Sequence, residues 1–352
     1  MAESETMVDF FHAIPKIELH AHINGSISTG TMKKLLDRKE KKILEHCKTT
    51  FEEAERGTLD DCFKIFSVIH QISDSTEAAY TITTDVIREF AEDNVKYLEL
   101  RSTPRDIAKT GMTKQSYIEA VLKAIEDCKS QDLDIVVKFI LAIDRRNGVE
   151  VAKETLDLAE KYRNISSDTV VGLDLSGDPY AGDARDYIPV FRDAKRRGLK
   201  LALHLAEVPN KEETMALLKV LPDRIGHGTC LHQEAGGSLE LVEFVAKHRI
   251  PLELCLTSNV KGRTVSDFDN HQFKLWYDLG HPCIICTDDK GVFSTSLSQE
   301  YSIAANTFGL SNEAVLDMAC NSIEHIFAED NLKATLRDSF QEQRHLLLKT
   351  SD

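Results

Sequence analysis

Short apolar runs alternate along this chain with longer stretches of helical periodicity. The runs are Lys16–His22, Val95–Arg101, Ile135–Asp144, Val170–Ser176, Lys200–Leu205, Arg224–His227, Pro251–Leu256 and Cys283–Asp288, and each reads as a β-strand. Between them, Ile82, Val86, Ile87 and Phe90 recur at helical spacing, as do Tyr117, Val121, Ile125 and Cys128. The residues after about 300 are also helical in pattern, with Ser311 placed as an N-cap. Eight strands alternating with helices predict an α/β architecture, a (β/α)8 barrel. No repeat, low-complexity tract or long linker divides the chain, so residues 1–352 are expected to form one barrel domain. The roughly 72 residues between the first two strands exceed one crossover and are expected to add helices over the barrel mouth; further helices follow at the C-terminus.

Side chains alternate faces along a strand. By that parity Leu19, Leu98, Leu100, Leu201, Leu203, Leu252 and Leu254 face the helices, while Glu18, His20, Glu99, Lys200, His204, Glu253 and Asp288 face the barrel axis. Barrel interiors usually hold Val, Ile and Leu. So many ionisable groups inside imply a paired polar network, a metal, or both. Barrel active sites lie at the C-terminal strand ends. Here those ends carry His20 and His22, Arg101, Asp144, Asp174, His204, His227, Thr257 and Asp288.

Composition narrows the field. The net charge is -15, from 43 basic and 58 acidic residues with no basic block, which argues against a nucleic-acid surface. A small anionic substrate remains open, because a few local donors hold one phosphate. No run of 18 apolar residues offers a membrane span, and Met1-Ala2-Glu3-Ser4-Glu5 lacks the features of a signal peptide. The 8 scattered cysteines point to reduced thiols in the cytosol. Cys283 and Cys286 match C-x-x-C, but on a strand they face opposite sides and are expected to be packing residues. Nothing demands assembly, and a monomer is expected.

His20 and His22 point the same way from one strand, and two imidazoles side by side are half of a metal site. With His204 and Asp288 they offer three nitrogens and a carboxylate, a donor set that suits zinc. Alone, the His-x-His pair also fits two buried structural histidines; the partners at other strand ends weigh against that. An open coordination position would hold water, whose pKa zinc lowers to about 7. The strand Val171-Gly172-Leu173-Asp174-Leu175 has no lysine to carry a bridging carbamate, so one metal is expected. Glu207, three residues beyond His204, either swings over the same mouth as a proton donor or acceptor or stays a solvated loop carboxylate. His227, between Gly226 and Gly228 at a strand end, is a catalytic candidate because small neighbours let a ligand approach. Of the adjacent Asp288 and Asp289, one ligates while the other accepts a hydrogen bond from water or substrate.

The phrases Glu18-Leu19-His20-Ala21-His22, Tyr97-Leu98-Glu99-Leu100-Arg101, Ser176-Gly177-Asp178, His204-Leu205-Ala206-Glu207, Gly226-His227-Gly228 and Thr287-Asp288-Asp289, in this order over roughly residues 10 to 330, resemble the adenosine deaminase family. The resemblance implies a barrel with one zinc held by His20, His22, His204 and Asp288, and hydrolytic removal of a purine 6-amino substituent. Glu207 would protonate purine N1. His227 would orient and help deprotonate the zinc-bound water. Asp289 would bond N7 or the attacking hydroxide, the Gly177 backbone would meet N3, and His22 would also border the substrate.

Within the family the chain is most similar to the adenosine deaminase-like subgroup, the N6-methyl-AMP deaminases. The phrases are His20-Ala21-His22-Ile23-Asn24-Gly25-Ser26, Arg101-Ser102-Thr103-Pro104-Arg105, Ile143-Asp144-Arg145-Arg146 and Asp288-Asp289-Lys290-Gly291-Val292-Phe293. Nucleoside deaminases normally carry an aspartate where this chain has Asn24. An amide can donate to a 5′-phosphate that a carboxylate would repel. Ser102, Thr103, Pro104 and Arg105 form a plausible phosphate cradle, unless Arg105 is an ordinary loop arginine. The resemblance adds His70, closing over the phosphate. Asp144 would hold the ribose, or else pair with Arg145 or Arg146 at the rim. The expectation is therefore a zinc aminohydrolase converting N6-methyl-AMP to IMP and methylamine. A deaminase of free adenosine and a catalytically silent nucleotide-binding protein remain as alternatives.

Overall fold

Eight parallel strands pair in chain order: β1 (Lys16–His22), β2 (Val95–Ser102), β3 (Val136–Asp144), β4 (Val170–Ser176), β5 (Lys200–Leu205), β6 (Arg224–His227), β7 (Leu252–Leu254) and β8 (Cys283–Ile285). The computed structural model describes residues 10–37, 39, 66, 68–131 and 133–349. The barrel closes through one residue. Asp288 bridges to Ala21 in parallel register, its N–H donating to the His20 carbonyl at 2.8 Å and its carbonyl accepting the His22 N–H at 3.0 Å. This is the expected (β/α)8 barrel.

The helices alternate with the strands as the periodicity predicts. After β1 come α1 (Thr29–Leu36) and α2 (Thr76–Glu92); α3 (Lys114–Ser130) and α4 (Gly148–Ile165) follow β2 and β3. Then come α5 (Ile188–Arg196), α6 (Lys211–Leu218), α7 (Leu239–His248), α8 (Leu256–Lys261) and α9 (Phe273–Asp278). Three C-terminal helices, α10 (Leu297–Phe308), α11 (Asn312–Ser322) and α12 (Asp330–Lys349), complete the layer. Ser311 caps α11 as expected, accepting the Ala314 N–H at 3.2 Å. Residues 68–72 are also helical. Residues 38, 40–65 and 67 of the long insertion, with Cys47 and Cys62, lie outside the described residues.

Leu19, Leu98, Leu100, Leu201, Leu203, Leu252 and Leu254 are all buried in the main core between strands and helices. The barrel interior is different. Ile140, Val171, Ala202 and Phe327 form a separate small apolar cluster, and Phe327 lies under the Arg224 guanidinium, 3.6 Å from its ring centroid. Above this plug Glu18, Glu99, Arg101, Arg224 and Glu253 are fully buried. Lys200 departs from the expected interior network. It begins its strand, so it is exposed at the lower rim and pairs with Asp223 at 3.0 Å.

Two strands are shorter than their apolar runs. After Leu254 the backbone turns into α8, so Thr257 sits in a helix rather than at a strand end. After Ile285 the Glu18 carboxylate, not a neighbouring strand, takes the Thr287 N–H at 2.9 Å and hydroxyl at 2.8 Å. The six described cysteines are free thiols, Cys283 and Cys286 among them, and burial raises both of these. Among the described residues no helix is long and apolar enough to cross a membrane.

Candidate active site

The upper barrel mouth gathers side chains from strands far apart in sequence. His20 and His22 project together from β1, His204 comes from β5, and Asp288 follows β8. His204 Nε2 lies 3.1 Å from His20 Nε2 and 3.2 Å from His22 Nε2. Asp288 Oδ1 lies 3.4 Å from His20 Nε2 and 3.3 Å from His22 Nε2. A tetrahedral zinc with ligand bonds of about 2.0 Å needs ligand atoms about 3.3 Å apart. These four separations are of that size, and all four ligand atoms lie within 4.8 Å of one another.

The protonation of these groups also calls for a cation. His20 Nδ1 lies 2.7 Å from Glu253 Oε2, and His204 Nδ1 lies 2.8 Å from Asp174 Oδ1. Each ring thus donates its Nδ1 proton to a carboxylate and turns its Nε2 inward. Burial lowers His20, but Asp288 and Glu253 outweigh it and raise the ring to about 9, so these carboxylates favour a positive charge, proton or metal, beside them. Burial holds His204 down at about 4, so it is neutral, as a ligand must be.

The orienting carboxylates are themselves fixed. Glu253 accepts from Arg101 at 2.8 Å and from Arg224 Nε at 2.6 Å; Arg224 also pairs with Glu99. Burial alone would raise Glu253, but Arg101 and Arg224 outweigh it and hold the carboxyl well below its usual range. Asp174 also fills the gap where the sheet splays. The β4–β5 ladder pairs only Gly172 with Lys200 and Leu173 with Leu201, and above it the His204 N–H donates to the Asp174 carboxylate at 3.3 Å.

Three groups around this cluster can handle protons or orient a ligand. Glu207 is half-buried, and burial together with the Asp288 charge raises its carboxyl to about 8. It is therefore protonated at neutral pH and able to donate. His227 Nε2 lies 3.8 Å from Glu207 Oε2 and 3.9 Å from Asp288 Oδ2. Asp289 is raised to about 7 by burial and by Asp288. Its carboxylate stands against Gly25, where a Cβ would lie 1.5 Å from Asp289 Oδ1. Ala206, His227 and Asp288 all adopt left-handed backbone, with φ of 55°, 62° and 62°. Such conformations cost non-glycine residues about 1–3 kcal/mol each and concentrate at functional sites.

The Adenosine deaminase family model matches residues 15–343. The N6-methyl-AMP deaminase of Homo sapiens is 54% identical over 330 residues, covering 94% of this chain and 93% of that protein. That of Danio rerio is 53% identical, covering 97% and 98%. Among solved structures, Arabidopsis ADAL complexed with IMP superposes with a TM-score of 0.88 at 38% identity, covering 96% of this chain and 98% of that one.

The chain belongs to the adenosine deaminase family. It is thus a deaminase, a hydrolase acting on C–N bonds, and the mouth of its barrel is where that chemistry has its candidate groups.

Farther from the cluster, the deaminase brings some of the expected substrate contacts together and not others. Asn24 is half-buried beside His22. Gly177 has φ 95°, and a Cβ there would fall 2.4 Å from Asp144 Oδ1, so only glycine lets these two elements meet. Asp144 is paired with Arg146, through Nε–Oδ1 at 2.9 Å, which is the rim ion pair rather than a free ribose acceptor. Arg145 instead bonds Glu213 at 3.0 Å. Thr103 is half-buried and Pro104 buried. Arg105 donates to the Ser73 carbonyl and hydroxyl at 2.5 Å each, while its buried Nε has no partner among the described residues. His70 lies close enough to Arg105 and Arg146 that burial, then these two charges, lower it. Ser102 departs from the expected hydroxyl cradle. Strand parity turns Arg101 inward and Ser102 outward, where its hydroxyl bonds Tyr117 at 2.6 Å.

Residues behind the cluster escaped the sequence analysis. Ser258 Oγ donates to Asp288 Oδ2 at 2.6 Å, and Asn259 lies 3.1 Å from His227 Nδ1. The polar triplet Thr257-Ser258-Asn259 directly after an apolar run was the available signal. His271 and Gln272, which bond Asn259, carried none.

Proposed function

We propose that this deaminase removes the 6-substituent of a purine nucleoside monophosphate, with N6-methyl-AMP the favoured substrate and IMP and methylamine the products. The observation that carries the proposal is the Glu207 carboxyl, 3.8 Å from His227 Nε2, beside the four-ligand cluster. The names of the human and Danio rerio relatives, and the IMP bound by the Arabidopsis protein, support the nucleotide.

In this reading His20, His22, His204 and Asp288 hold one zinc per chain, which supplies a water made acidic near neutral pH. Glu207 donates its proton to purine N1 and so makes C6 electrophilic. His227 orients the attacking water, and Asp289 holds N7 or that water. The Gly177 backbone meets N3, and His22 borders the base. The water oxygen bonds to C6 and the C6–N bond breaks; one of the water's two protons goes to the leaving amine and the other returns to Glu207, while N1 keeps the proton that Glu207 gave. Asp144 holds the ribose once Arg146 yields to it. Asn24, Thr103, Pro104, Arg105, His70 and the Ser102 backbone surround the 5′-phosphate, and the Arg105 Nε, which has no partner among the described residues, is a donor toward it. We read residues 1–352 as one domain acting as a monomer in the cytosol, a compartment that suits the free thiols.

The test is product identification. Zinc-loaded protein incubated with N6-methyl-AMP should release IMP and methylamine in equal amounts, and Glu207→Gln should remove at least about 100-fold of that rate. Absence of IMP from the wild-type reaction would refute the proposal.

A further inference from the structure

A hydrogen-bond chain ends on His227 Nδ1, and its direction is fixed at the far end. The backbone N–H of Phe273 can only donate, and it points at His271 Nδ1 at 3.0 Å. That nitrogen therefore carries no proton, and the neutral His271 ring carries one at Nε2. Burial, reinforced by His232, holds His271 down at about 3, so the ring is neutral. His271 Nε2 lies 3.0 Å from Asn259 Oδ1, and Gln272 Nε2 donates to the same oxygen at 3.2 Å. Two donors on the oxygen orient the carboxamide, so its amide nitrogen faces His227 Nδ1 at 3.1 Å. All four side chains are buried.

We infer that Asn259, oriented by His271 and Gln272, is a positioning residue that holds His227 as its Nε2–H tautomer, so that His227 enters the reaction as a hydrogen-bond donor rather than as a neutral base. The inference rests on the deaminase reading of the site and changes the part His227 plays in it. Nδ1 accepts from the amide, so the ring's one proton sits on Nε2, between the Glu207 and Asp288 oxygens. Those oxygens are 3.8 and 3.9 Å away, too far for direct bonds and spaced for an oxygen atom held between. The opposite tautomer would set an Nδ1–H against the amide N–H of Asn259. Turning the amide over would set its NH2 against two donors, His271 and Gln272.

The same tautomer keeps His227 off the metal. His227, Cys255 and Asp288 form a second group whose ligand atoms lie within 4.8 Å of one another, sharing Asp288 with the main cluster. An Nε2 that carries a proton has no lone pair to offer a cation.

The test is Asn259→Asp, which keeps the shape and the His271 bond but presents an acceptor to His227 Nδ1. In zinc-loaded wild-type protein labelled with 15N-histidine, the His227 ring, assigned by its loss in His227→Gln, should show a protonated Nε2 and a bare Nδ1. In Asn259→Asp the pattern should reverse. With N6-methyl-AMP, kcat should fall about 100-fold while KM stays within about 3-fold, at unchanged zinc content. A merely structural asparagine would leave both the ring pattern and kcat in place. A wild-type His227 protonated at Nδ1 would overturn the inference, and so would a reversed ring in Asn259→Asp with kcat within about 3-fold of wild type. The ring pattern is read without turnover. A wild-type protein with the Nε2–H ring but no purine turnover would therefore overturn the deaminase reading and leave the tautomer assignment standing.

Discussion

Asp174 holds His204 twice, through the imidazole Nδ1 at 2.8 Å and through the backbone N–H at 3.3 Å. It thus sets both the ring orientation and the strand position of a metal ligand from the neighbouring strand. Asp174→Asn keeps the volume but loses the charge that holds the Nδ1 proton in place. Metal affinity should fall about 10- to 100-fold, measured by chelator competition. Unchanged affinity would mean that His204 is oriented by something else.

Glu253 is bonded by His20, Arg101 and Arg224, all fully buried. Removing the carboxylate leaves two guanidinium groups without their shared partner. Glu253→Ala should cost about 3–5 kcal/mol of stability, read as a shift in the denaturant midpoint. A loss under about 1 kcal/mol would show that the network relaxes or admits water.

The Glu207 carboxyl must be protonated to donate, and its pKa is raised to about 8 by burial and by Asp288. The active form is therefore full well below pH 8 and empties as pH rises through it. kcat/KM for N6-methyl-AMP should decline along an alkaline limb near pH 8, and Glu207→Gln should lack that limb while keeping its metal. A rate that climbs through pH 8 would contradict the donor role.

Gly25 leaves room for the Asp289 carboxylate, since a Cβ there would lie 1.5 Å from Asp289 Oδ1. Gly25→Ala must displace Asp289 without touching a metal ligand. kcat/KM should drop about 100-fold with metal content unchanged, measured by turnover alongside metal analysis. Near-normal turnover would remove Asp289 from the substrate contacts.

The strands and the metal cluster were legible in the sequence because their signals are local. Alternation in Lys16–His22 places His20 and His22 on one side, and the apolar runs locate His204 and Asp288 at barrel strand ends. The orienting carboxylates were half legible. Parity turned Glu253 inward, but only the folded barrel pairs it with His20, 233 residues earlier. The triplet Thr257-Ser258-Asn259 after an apolar run marked Asn259 as a candidate, but its role and those of His271 and Gln272 were illegible, because they lie in hydrogen-bond direction between segments and not in periodicity. The left-handed backbone at Ala206 left no trace either, since alanine does not favour it. Strand parity, applied to Ser102, would have turned its hydroxyl away from the phosphate.

The most direct test of the account is the ratio of kcat/KM for N6-methyl-AMP to that for adenosine, in wild type and in Arg105→Ala. The Arg105 guanidinium has an Nε without a partner among the described residues and lies near His70 and Arg146, so a phosphate there gains charged donors that a nucleoside cannot use. The account predicts a wild-type preference for the nucleotide of about 100-fold or more, of which Arg105→Ala removes about 10- to 100-fold while adenosine turnover stays the same. Adenosine turned over as well as the nucleotide, or a preference indifferent to Arg105, would contradict it.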